Sequence, residues 1–396
     1  GEKTYAGKVG IYKMMDKEEI CREIDGMEPA MIDTWKKLVN RDCGPDCKEG
    51  VDAVGRAVER FLKPLGFKVR FHVYEKAGNM LVAEYGDMTK PFVLLTGHMD
   101  TVFARGTAEE RPFQMTGDRV TGPGVLDMKG GLTILLHVVR LLLAHGYDRH
   151  PIKIVLAGDE ETGHKNSNGG ADYLEEAKGA LMGFNMETGF LNNGIVIERK
   201  GVAQYQFDID GVGAHAGNNP RDGRSAVMEL CHKALDIGNL TDCEEGTTVN
   251  VGVISGGTVA NAVPEHASCK VDVRFSRQEG IDRVEKAFRQ IVEKTYVEGT
   301  TTRFSCLVKV SSMERLPGSE ALFHQAEEIA ESWGLPAMKA IAVGGGSDSA
   351  YLTRAGVPTL CALGVKGEFN HTVREWAEKK SLTERAKLLA ALLLHL

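Results

Sequence analysis

Apolar positions in the first half of the chain follow two rhythms. From Lys17 to Lys37, and again from Asp52 to Leu62, they recur at helical spacing, with Val54, Val58, Phe61 and Leu62 on one side of the second segment. Pro64 and Gly66 end that helix. Strand-like runs follow at Lys68–Tyr74, Met80–Glu84 and Phe92–Thr96, and the continuous apolar character of the last predicts a strand buried on both faces. The polar piece Ala104–Arg119 reads as loop. A long apolar helix, Leu132 to His145, is too short and too interrupted by His137 and Arg140 to span a membrane. Ile152–Ala157 and Leu181–Asn185 are further buried strands, with a helix near Gly170–Lys178 between them. Strands alternating with helices predict an α/β fold, a mostly parallel sheet flanked by helices.

From Lys200 the rhythm changes. Val202–Ile209 alternates like a half-exposed strand, Gly223–Ile237 is helical, and Thr248–Ile254 and Ala267–Phe275 are strands. A helix at Glu279–Tyr296 and a strand at Thr301–Val310 complete a β-α-β-β-α-β order, that of a ferredoxin-like α+β unit. It reads as an insertion, residues 200–311, into a discontinuous domain of residues 1–199 and 312–396. The first rhythm returns with a helix at Glu320–Trp333, and a final helix starts near Leu382.

Bulk properties narrow the class. At 396 residues two domains are the natural expectation. The charge of 48 − 55 = −7, without a basic run, offers no footprint for nucleic acid or anionic lipid. The eight cysteines read mostly as buried thiols of a reducing, cytoplasmic compartment, with a Cys43–Cys47 disulfide or metal site as the lesser alternative. The first residues lack the apolar core of a signal peptide, and a removed leader stays open because no initiator Met is present.

The chemistry lies where strands end. After Phe92–Thr96, Gly97 is followed by His98 and Asp100, two residues apart and so aimed to the same side. Asp127 opens a helix, Glu160 and Glu161 follow one strand, Glu187 another, and His371 sits in a late turn. In α/β sheets the crevice beyond the carboxyl ends of strands is where ligands bind. Seven acidic and imidazole groups converging there would repel one another unless cations held them. Two divalent ions, three carboxylate ligands and a bridging hydroxide come out near neutral. Oxygen and imidazole donors without thiolate suit zinc or another first-row ion. One of the adjacent pair Glu160 and Glu161 can bind metal while the other acts as general base.

These segments resemble the co-catalytic zinc exopeptidase and deacylase family of bacterial glutamate carboxypeptidase, succinyl-diaminopimelate desuccinylase, acetylornithine deacetylase and the aminoacylases. The motifs are Gly97-His98-Met99-Asp100-Thr101-Val102, Gly122 to Gly131 around Asp127, Asp159-Glu160-Glu161-Thr162-Gly163, Met186-Glu187-Thr188-Gly189 and the late His371. The resemblance implies two Zn²⁺ per subunit, with Co²⁺ or Mn²⁺ as substitutes. Asp127 would bridge them, His98 and Glu187 completing one site and Glu161 and His371 the other. Asp100 would orient His98, Glu160 would activate water, and the Asp127–Met128 peptide would be cis. In the inserted lid, His215 would stabilise the oxyanion in the site of a neighbouring subunit of a homodimer, and Asn261 and Arg274 would hold a substrate carboxylate. Gly345 and Gly346, in Gly344–Ser349, would offer backbone N–H groups to the substrate. The segment after Gly163 follows the family's serine- and glycine-rich run only loosely, and its His164 reads as a loop residue near the metals, with incidental metal binding as the alternative. The resemblance implies hydrolysis of an amide to a carboxylate-bearing amino acid in a small peptide or N-acyl amino acid, most like a glutamate carboxypeptidase. The alternatives are an N-acyl amino acid deacylase and, from another class, a non-catalytic binding relative.

Overall fold

The computed structural model describes residues 16–396; the extreme amino terminus read above lies outside the described residues. Its main sheet has six strands in the order Lys68–His72, Gly78–Tyr85, Ile152–Gly158, Phe92–His98, Ala180–Asn185 and Thr359–Leu360. The two central strands, Phe92–His98 and Ile152–Gly158, are parallel and buried along their whole length. Three of the five pairings are parallel and two antiparallel. The antiparallel pairs involve the hairpin 68–85, whose five-residue connection is too short for a parallel crossover. A separate parallel pair joins Gly194–Arg199, a strand the apolar rhythm did not reveal, to Lys339–Val343.

Helix Gly130–Ala144 lies under this sheet, buried at nearly every position. Gly131 permits the approach, since a Cβ there would stand 1.9 Å from the Met186 carbonyl oxygen. The amino-terminal helical segment is two helices, Lys17–Gly26 and Glu28–Val39, because Pro29 is accepted only in the first turn of a new helix. The expected loop at 104–119 contains a short helix, Thr107–Glu110, and the start of a small hairpin sheet that the late strand Trp376–Glu378 joins. That pairing carries the 367–378 segment, with His371, back to the mouth of the main sheet. All eight cysteines are free, and only Cys43, Cys47, Cys269 and Cys361 are buried. Among the described residues no helix is long and apolar enough to cross a membrane.

Residues 201–310 form a second, four-stranded antiparallel sheet, ordered Thr248–Gly256, His266–Phe275, Gly201–Asp210, Thr301–Val310. Helices Ala226–Gly238 and Gln278–Glu293 cover one face. Alternating burial along Gly201–Asp210 records that one-sidedness. Its core is separate from the main one and centres on Tyr205, Phe207, Phe288 and Phe304, with the Phe207–Phe288 ring centroids 5.0 Å apart and perpendicular. Phe288→Ala removes the ring that touches the other three. We expect about 3–5 kcal/mol of destabilisation in denaturant unfolding; a loss below about 1 kcal/mol would contradict this packing.

Candidate active site

The central strands deliver the acidic and imidazole groups to one place. His98, at the end of its strand, has Nε2 3.1 Å from Asp127 Oδ1 and 3.4 Å from Glu187 Oε1. The other Asp127 oxygen, Oδ2, lies 3.0 Å from His371 Nε2, which is also 3.0 Å from Glu161 Oε2. One carboxylate thus faces two imidazoles, each of which faces a further carboxylate. Glu160 Oε2 stands 3.9 Å from His98 Nε2. The Asp127–Met128 peptide is cis.

Neighbouring groups fix this cluster. His98 Nδ1 meets the Asp100 carbonyl oxygen at 3.0 Å, with Asp100 Oδ1 at 3.4 Å. The Asp100 carboxylate also accepts the backbone N–H groups of Glu160 (3.2 Å) and Glu161 (2.9 Å). It therefore holds the acidic turn as well as the histidine, a double duty that spacing alone did not show. Glu375, buried, accepts the N–H groups of Gly124, Leu126 and Asp127 at 2.9–3.0 Å and sets the turn carrying Asp127. Asn370 donates to Asp127 Oδ2 at 2.8 Å. Both contacts span some 250 positions, and only the hairpin pairing of the late segment brings them in.

His164 is a buried connector. Its ring nitrogens lie 2.8 Å from Asp159 Oδ1 and 2.6 Å from Asp348 Oδ1, tying the acidic turn to the glycine-rich loop. Asp348 adjoins the helix Ser349–Arg354 but makes no side-chain cap there.

The electrostatics show a cluster short of positive charge. Burial pushes Glu161 up to about 8 and Glu160 well above the ordinary carboxylate range. Hydrogen bonds to Asp127 and Glu161 raise His371 to about 11. Against the cost of burial, Glu187 and Glu160 raise His98. Glu160, Glu161, His98 and His371, all shifted towards the protonated form, mark a strongly negative potential, while the two imidazoles hold Asp127 below the usual carboxylate range in spite of its burial. The buried Glu161 Oε1 has no hydrogen-bond partner. An all-oxygen-and-imidazole donor set, a central carboxylate presenting an oxygen to each side and an orphaned ligand oxygen together fit a pair of divalent cations.

The cluster opens into a cleft of about 520 Å³, lined also by Arg199, Val202, Val310, Val343, Gly345 and Gly346. Arg199 is buried, donating from Nη1 to the Gly345 carbonyl oxygen at 3.0 Å and from Nη2 to Cys361 Sγ at 3.3 Å. Its strand was not anticipated, and neither was its place in the cleft. His215 and Asn261 line a different cavity, a groove of about 790 Å³ in the inserted unit. Arg274 lies on the open face of the lid sheet, paired with Asp272 at 2.8 Å, in the lining of neither.

The arrangement can be set beside known proteins. Residues 94–395 match the family model described as peptidase family M20/M25/M40. The chain belongs to that family. It is a hydrolase. A carboxypeptidase G2 of Pseudomonas sp. (strain RS-16) is 30% identical over 375 residues, 93% of this chain and 90% of that protein. Among solved structures, the aminopeptidase PepT of Bacillus cereus superposes with a TM-score of 0.73 at 22% identity, covering 96% of this chain and 99% of that one. The YXEP protein of Bacillus subtilis, described as a dinuclear metal-binding peptidase of the M20 family, gives 0.65 at 14% identity over 93% and 98%. These structural likenesses concern the fold.

Asp100→Ala leaves every side chain of the cluster present but removes the brace on His98 and on the 160–161 turn. We expect metal retention, read by chelator competition, to weaken about 10–100-fold. Unchanged retention would show that the brace does not matter.

Proposed function

We propose that this M20 hydrolase cleaves the amide bond to a carboxylate-bearing amino acid, releasing it from a small peptide or acyl group, with two divalent cations, zinc by preference, in the cleft. The observation that carries this reading is Asp127, one buried carboxylate facing both His98 and His371. In it, Asp127 would be shared by the two ions, with His98 and Glu187 holding one and Glu161 and His371 the other. Bound there, the ions supply Lewis-acid polarisation of the scissile carbonyl and make a water acidic. Glu160, outside the ligand set, takes the proton of that water and returns it to the leaving amine. Asp100 keeps His98 and the acidic turn in register. The Gly345–Gly346 backbone lines the cleft where an extended substrate would lie. The similarity to a carboxypeptidase at 30% identity supports the exopeptidase direction over acyl-group removal.

For the substrate carboxylate we favour Arg199, the guanidinium that lines the cleft, with Arg274 kept for the lid. A guanidinium matches a carboxylate with two parallel N–H donors. His215 and Asn261, facing a groove that holds none of the cleft's acidic cluster, serve the cleft of a second copy in a homodimer. The exposed Val253 and Ile254 on the edge strand Thr248–Gly256 support pairing through that edge.

Glu160→Gln should lose about 10²–10⁴-fold in turnover while its metal content stays that of the parent; a parent-like rate would remove Glu160 from the proposal. Site sharing has its own test. His215→Ala and Glu160→Gln subunits, each inactive alone, should regain about a quarter of parental activity after random mixing, since half of the dimers are mixed and each has one intact site. No recovery would confine His215 to its own chain.

A further inference from the structure

The cleft has two unlike sides. Its floor is the acidic cluster, and its other side is mainly apolar: Phe190, Val202, Val310 and Val343 all line it and are all only half-buried, with Ser311 and a Lys309 whose ammonium is paired with Glu285 at 2.8 Å beside them. These four come from separate stretches of chain. Val202 and Val310 are direct cross-strand partners at one end of the lid sheet. Val343 is the register partner of Arg199 on the neighbouring parallel strand. Gly346 keeps the space open, because a Cβ there would stand 2.5 Å from Val310 Cγ1.

Arg199 sits within this apolar surround, and its Nε has no hydrogen-bond partner although it is buried. A carboxylate and a side chain on one Cα are held within a few bonds of each other. If Arg199 receives the carboxylate, the side chain of the same residue must meet the valine wall. A charged or amide side chain there would lose its hydration with nothing to replace it. An aliphatic or aromatic one would gain from the burial.

We infer that the amino acid released by this enzyme carries an apolar side chain, branched aliphatic or aromatic, and that Val202, Val310 and Val343 select it. This separates the cleft from one made for a terminal glutamate, whose second carboxylate would need an unpaired cation in that wall: Lys309, beside Val310, is held by Glu285. The inference rests on the amide-hydrolase reading given above.

The test uses the intact zinc-loaded protein and a series of N-acetyl amino acids and glycyl dipeptides that differ only in the released residue: Leu, Phe, Val, Glu and Lys. Leucine or phenylalanine substrates should exceed their glutamate and lysine counterparts at least about tenfold in kcat/KM, the range a hydrophobic pocket discriminates. Val310→Lys, at a half-exposed strand end, should lower leucine turnover and raise glutamate turnover, reversing the order. Equilibrium titration of the Glu160→Gln variant with N-acetyl-leucine and N-acetyl-glutamate gives the same comparison without turnover, and leucine should bind more tightly. Glutamate or lysine preferred by the parent, or an order that Val310→Lys leaves unchanged, would overturn the inference while leaving the hydrolase reading intact. Hydrolysis of none of the series would overturn the proposed amide-bond reading of the cleft, and the specificity with it.

Discussion

The structure depends on confining negative charge. Asp127, Glu160, Glu161 and Glu187 are brought within a few ångströms of one another where the sheet ends, in a place with little water. Carboxylates in such surroundings repel, and burial raises the cost of ionising each one. Two imidazoles relieve part of this, and divalent cations would relieve the remainder. The rest of the main domain can be understood as scaffolding against that repulsion. Parallel strands with no freedom on either face fix the origin of each side chain. Asp100 and Glu375 spend their own charges on backbone N–H groups, so that the turns cannot relax away from the cluster.

That dependence explains what could be read from the sequence. A buried parallel strand announces itself as an uninterrupted apolar run, and the polar residue after its last turn is the one that enters the crevice. His98, Glu160, Glu161 and Glu187 were legible for this reason, as was the βαββαβ order of the lid, whose alternation records one covered face. Glu375, Asn370 and His164 were not legible. His164 and Asn370 adjoin motif residues and Glu375 stands in a late turn, but the partners that give them their roles, Asp348, Asp127 and the 124–127 backbone, lie some 180 to 250 positions away. Arg199 was hidden because Gly194–Arg199 is short and ends at the junction with the lid, where the two periodicities merge. Arg274 shows the converse. Its motif pointed to the substrate, while its place on the lid strand gives it Asp272 as a partner on the open face of the sheet.

The two sides of the cleft answer to different physical demands, and this bears on how the protein could change its substrate. The acidic floor is coupled: each group's protonation depends on its neighbours, so replacing one disturbs all. The apolar wall is made of side chains whose contributions are close to additive, because dispersion and burial act locally. Two of its members, Val202 and Val310, belong to the inserted unit and mark the points where the chain enters and leaves it. A shift of the lid would therefore move half of that wall, Val202 and Val310, relative to Phe190, Val343 and the acidic floor. Chemistry is held by coupled charges in the main domain, and selection by short-range packing where the main domain meets the lid.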